Sequence, residues 1–127
     1  MKKIFFLCYF VFFIPITAYC EWNSIAENKE ATIFIDPGSI RRVDSGIKSI
    51  WTLKNYKNPK DEIKSRQFKL ELDCEQQEFR RLIRVSFSAH FSSGLPIKDY
   101  FKSEDWRSVE GFDLFKAVFL KICSKGK

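Results

Sequence analysis

The side chains best suited to covalent or metal chemistry are four cysteines, Cys8, Cys20, Cys74 and Cys123, and a single histidine, His90. One histidine is too few for a zinc site once the cysteines are otherwise engaged. The chain has no Gly-x-Ser-x-Gly, no phosphate loop and no His-Glu-x-x-His, so the spacings that build an acyl nucleophile, a nucleotide cradle or a metalloprotease are missing. The carboxylate pairs Asp61-Glu62 and Asp73-Glu75 fall in a polar loop and at a strand end, where acids are ordinarily solvated. His90 falls on the polar side of an alternating stretch and reads as a surface residue. The expectation is a protein that is not an enzyme and holds no cofactor or metal, with cysteines that act as staples.

Which cysteines do so depends on the first twenty residues. Lys2 and Lys3 precede an unbroken apolar run from Ile4 to Ile14, Pro15 interrupts it, and small or polar residues follow. That layout predicts a signal peptide over residues 1–20, and the run is too short for a transmembrane anchor, which needs roughly 20 apolar residues. Cleavage after Ala18 or after Cys20 satisfies the preference for small residues, and only the second leaves an even cysteine count. Thr17, Ala18 and Tyr19 before Cys20 make a poor lipidation signal, which argues against a lipid anchor. The domain then runs over residues 21–127 and keeps Cys74 and Cys123. Exported compartments are oxidising, so a disulfide between them is expected.

A chain of this length is one domain. Its formal charge is +6, and without Lys2 and Lys3 there remain 20 Lys and Arg against 16 Asp and Glu. The excess is dispersed among acids and apolar residues, no nucleic-acid module is visible, and an exported protein does not meet nucleic acid. A mildly basic exported domain fits a protein partner, a polysaccharide or a membrane surface better.

The elements that must position these residues are mostly strands. Thr32 to Ile35 reads as a strand stopped by Asp36-Pro37-Gly38, and Asp44-Ser45-Gly46 marks a second turn before the β-rich stretch Ile47 to Tyr56. Lys57 to Lys64 is a polar loop. Beyond it Phe68, Leu70, Leu72 and Cys74 alternate with Lys69, Glu71 and Asp73. The longest strand candidate sets Phe79, Ile83, Val85, Phe87, Ala89 and Phe91 on an inner face and Arg80, Arg84, Ser86, Ser88 and His90 on an outer one, with Leu82 as the exception. From Phe112 the period changes: Phe112, Phe115, Phe119 and Ile122 recur at helical spacing with Cys123 on the same side. Cys74 leaves the apolar face of a strand and Cys123 the apolar face of a helix, so laying one on the other brings them together. The fold class expected is α+β: a single antiparallel β-sheet with a C-terminal α-helix packed on one face and one disulfide.

Taken in order, Trp22, "IDPGSIRR" (35–42), "IWTLKNY" (50–56), "SRQFKLELDC" (65–74), "FSAHFSSGLP" (87–96) and "DWRSVEGFDLFKAVFLKIC" (105–123) resemble the bacterial surface-adhesin protein E family of small exported domains. The resemblance spans about Trp22 to Cys123. It implies the same sheet, helix and disulfide, and a binding role toward host matrix or serum glycoproteins such as vitronectin and laminin. The family's basic loop corresponds here to Pro59-Lys60-Asp61-Glu62, where two acids interrupt it.

The expected partner-binding residues are the loop cations Lys57, Lys60, Lys64 and Arg66 together with Lys69, Arg80 and Arg84 on the outer face. Trp22, Trp51 and Trp106 would serve as contact anchors if exposed. The alternative is a periplasmic or envelope protein that binds a bacterial partner or small ligand. A homodimer fits either reading, and the location is the periplasm or the cell surface.

Overall fold

The computed structural model describes residues 21–59, 61–100 and 102–124, the side chains of 98–100 excepted. The expected signal peptide, residues 1–20, and Lys60 lie outside the described residues. Eight strands form one antiparallel sheet: β1 (Asn23–Glu27), β2 (Ala31–Ile35), β3 (Arg41–Asp44), β4 (Ile47–Tyr56), β5 (Ser65–Asp73), β6 (Glu78–Phe87), β7 (Pro96–Tyr100) and β8 (Arg107–Ser108). The order is β1-β2-β4-β5-β6-β7, with β3 pairing to β4 and β8 to β6. One helix, α1 (Asp113–Cys123), follows the strands.

Turn chemistry fixes the early registers. Asp36 accepts a hydrogen bond from the Gly38 amide at 3.1 Å, so the Asp-Pro-Gly segment curls into a single 3-10 turn after β2. Gly46 closes the β3–β4 hairpin at φ +74°, where a side chain would also press on Glu75. β4 and β5 are then paired continuously from Ile47 with Asp73 to Asn55 with Ser65.

The core lies between one sheet face and α1. Ala31, Ile33 and Ile35 of β2, Ile50 of β4, Phe68, Leu70 and Leu72 of β5 and Phe79 of β6 meet Leu114, Phe115, Val118, Phe119 and Ile122 of the helix. Phe115 packs edge-on against Phe68 and Phe79 is tilted against Phe115, with ring centres 5.4 and 5.1 Å apart. Asp113 in the first turn and Lys121 in the last complement the helix dipole. Cys74, just past β5, is joined to Cys123 at the end of α1 with Cα atoms 5.4 Å apart. The helix is therefore clamped covalently to the sheet it covers, as the spacing predicts.

β6 departs from the expected simple alternation. Its pairing with β5 shifts between Lys69 opposite Ile83 and Leu70 opposite Arg81, which leaves Leu82 as the extra residue of a β-bulge. A one-residue shift exchanges the two faces. Phe79 faces the helix as expected, but beyond the bulge Arg84 and Ser86 lie on the helix side, while Ile83, Val85 and Phe87 lie on the other with Lys69 and Gln67. The strand also stops at Phe87. Residues 90–92 form a tight turn with Phe91 at φ +57°, whose ring packs edge-on to Phe34 at 5.5 Å. Hydrogen bonds from Ser65 to the Ala89 carbonyl at 2.6 Å, from the Phe91 amide to Asn55 at 3.0 Å and from Gln67 to Ser92 at 2.8 Å hold that turn over the second face, where Leu53 is fully buried.

Candidate partner-binding surface

The loop from Lys57 to Lys64 joins β4 to β5 and is tied down at its base to three neighbouring segments. The Tyr56 amide donates to the Lys64 carbonyl at 3.0 Å, the Lys64 amide to the Phe87 carbonyl at 3.0 Å, and the Lys57 amide to the Glu30 carbonyl at 2.9 Å. Within it Asp61 accepts from the Ile63 amide at 2.9 Å. Lys57 and Lys64 are exposed. The Lys57 ammonium lies 2.9 Å from Glu27, and its hydrogen bond and charge hold the Glu27 carboxyl below the usual carboxylate range.

Next to the loop, the helix-side face of the sheet turns cationic. Arg66 stands directly opposite Lys54 in β4 and Ser86 in β6, and Arg84 directly opposite Phe68. The Arg66 guanidinium donates to Ser86 Oγ and to the Tyr56 hydroxyl, both at 3.1 Å, and lies over the Tyr56 ring at 5.5 Å. Arg81 donates to Glu104 at 2.8 Å. The Lys54 ammonium sits 4.5 Å from the centre of the Phe115 ring and 3.7 Å from Glu30. Burial pushes its pKa below the ordinary lysine value, and the charges of Arg81 and Arg66 push the same way against the pull of Glu30. Like charges set directly opposite in a sheet cost about 0.2–1 kcal/mol, so the Lys54–Arg66 pair trades stability for a concentrated positive surface.

The expected outer face of Lys69, Arg80 and Arg84 is not one surface. Lys69, opposite Trp51 and Ile83, and Arg80 lie on the face away from the helix. Arg80 is bound to Glu71 at 2.7 Å and covers the Trp106 ring at 4.6 Å, so its charge is already engaged. Arg84 lies on the helix side, because the Leu82 bulge inverts the alternation between Arg80 and Arg84. The structure thus brings Lys57, Lys64, Arg66 and Arg84 to one end of the sheet and leaves Lys69 and Arg80 elsewhere.

Lys54, Arg81 and Tyr56 belong with that cationic end, although the sequence reading singled out none of them. Lys54 and Tyr56 continue the Ile50, Thr52 alternation of β4, which was the available signal. His90 is exposed and its Nε2 is 3.0 Å from the Tyr56 carbonyl. Trp22, Trp51 and Trp106 are all half-buried.

Among the described residues no helix is long and apolar enough to cross a membrane. The family model described as surface-adhesin protein E matches residues 22–124, and no curated protein matches the sequence. Among solved structures, crystal form II of Haemophilus influenzae protein E aligns with a TM-score of 0.64 at 18% identity, over 89% of this chain and 95% of that one. The selenomethionine form of the same protein gives 0.61 at 16%, over 87% and 92%. Protein E from non-typeable Haemophilus influenzae gives 0.56 at 20%, over 87% and 80%. At these identities the likeness is one of fold: the same antiparallel sheet and C-terminal helix.

Proposed function

The chain belongs to the surface-adhesin protein E family, and on that premise we propose that it is an exported, non-enzymatic adhesin. Export removes residues 1–20 and leaves an unlipidated domain from Glu21. At the cell surface this domain recognises a host matrix or serum glycoprotein of the vitronectin or laminin kind. The observation that carries the reading is the tethered loop whose exposed Lys64 stands beside Arg66, with Lys57, paired to Glu27, at its foot. A loop fixed at its base presents charge with little ordering cost on binding, and rim charges of this kind steer encounter and set salt dependence.

The test is titration of immobilised vitronectin and laminin with the purified exported protein. Saturable binding that weakens as salt rises, and that falls in the Lys60→Glu/Lys64→Glu double variant at an unchanged melting temperature, supports the proposal. Absence of saturable binding at low salt removes these ligands. Protease shaving of intact cells tests the location: a protein that resists shaving until the outer membrane is opened belongs to the periplasm instead.

A further inference from the structure

A cleft of about 450 Å³ opens where the 57–64 loop meets the start of β5, and Tyr56, Pro59, Ile63 and Arg66 line it together with Lys29, Glu30 and Asp61. Its volume falls within the range of small-molecule sites. We propose that this cleft binds an acidic sugar, with Arg66 as the anchor for the sugar's carboxylate or sulfate.

Three observations lead there. Arg66 is held in place by two neutral hydroxyls and one aromatic ring and makes no ion pair among the described residues. Two of its five N–H groups are used by those hydroxyls, so a fork remains for a planar or tetrahedral anion. Neither acid in the cleft pairs with Arg66: Glu30 is drawn to Lys54 at 3.7 Å, Asp61 accepts from the Ile63 amide, and Lys29 adds a second cation to the lining. The remaining lone pairs of the two acids, with the carboxamide of Asn58 on the same wall, suit the hydroxyls of a sugar rather than a second anionic group. The apolar bodies of Tyr56, Pro59 and Ile63 offer a platform for the C–H face of a pyranose ring. A purely apolar ligand would leave Arg66 desolvated and unpaired, and a multivalent anion would meet Asp61.

This inference concerns a small ligand and stands whether or not the protein partner proposed above is the right one. The experiment is a ¹H–¹⁵N titration of the exported protein with the methyl glycoside of N-acetylneuraminic acid, with the methyl glycoside of galactose 6-sulfate, and with neutral lactose. Saturable shifts are expected at the amides of Tyr56, Asn58, Ile63 and Arg66, with a Kd of about 1 mM for such small ligands. Response to the sialoside alone names the carboxylate as the anchored group, to the sulfated galactoside alone the sulfate, and to both the chemistry they share. Arg66→Gln is expected to weaken binding at least tenfold while Arg66→Lys keeps part of it. Tyr56→Phe, which removes one hydroxyl hold on the guanidinium, gives an intermediate loss and serves as the comparison if Arg66→Gln melts early. No saturable shifts at these amides, an equal response to lactose, or undiminished binding by Arg66→Gln overturns the proposal.

Discussion

The same face of the same three strands changes character from one end to the other. Toward the disulfide, Ile50, Leu72 and Phe79 are buried under the helix; toward the loop, the corresponding positions are Lys54, Arg66 and Arg84. At the first end, the core side chains close on one another, and the cleft of about 350 Å³ beside the disulfide lies outside them. At the second, charge is gathered on strands that each pair with a neighbour on both sides. The contrast teaches that the domain separates its work along the strands: the sealed end holds the fold, and the open end is available to a partner without loosening it.

That division is most directly broken at the sealed end. Phe79→Ala removes a fully buried ring that touches Phe112 and Phe115, and is expected to lower unfolding free energy in urea by about 3–5 kcal/mol. The Cys74→Ala/Cys123→Ala double variant is expected to lose about 2–5 kcal/mol and to become sensitive to protease. If it melts like the wild type, the clamp is dispensable and packing alone fixes α1.

Changes at the open end should be felt in binding rather than stability. Lys64→Glu is expected to shift unfolding by less than about 0.5 kcal/mol, while any salt-dependent association weakens; a large loss of stability would show that the loop is part of the fold's support.

Lys54 lies on the boundary, and pH sharpens its role. Its folded pKa is depressed, so between that value and the ordinary lysine pKa the unfolded chain binds more protons, and stability rises with pH through this window. Lys54→Met removes the contribution. The stability difference between the variant and the wild type should therefore move in favour of the wild type as pH is raised from neutral toward the ordinary lysine pKa. A difference that is flat with pH would show that Lys54 keeps its ordinary affinity for the proton.

Much of the sealed end was legible in the sequence, because it rests on simple periods. Phe68, Leu70, Leu72 and Cys74 alternate, Phe115, Phe119 and Ile122 recur at helical spacing, and the expectation of an oxidising compartment joined the two patterns through Cys74 and Cys123. The open end was legible only in its loop. Edge strands such as β1, "NSIAE", and β7, "PIKDY", are too short and too polar to show a readable alternation. Arg84 was placed on the wrong face because Leu82 looked like an isolated exception to the pattern of β6. In physical terms the exception was the bulge, and every residue after it changes sides.

That bulge has a consequence for how this strand can vary in length. Between Phe79, which must point under the helix, and Arg84, which points the same way at the far end, the spacing is odd, and only the extra residue reconciles the two. Exchanging one side chain for another there alters packing locally. Deleting Leu82 would make Arg81 and Ile83 direct neighbours in plain alternation, so Ile83, Val85 and Phe87 would keep their side and Arg84 and Ser86 theirs; the strand can shed this one residue and lose only its bulge.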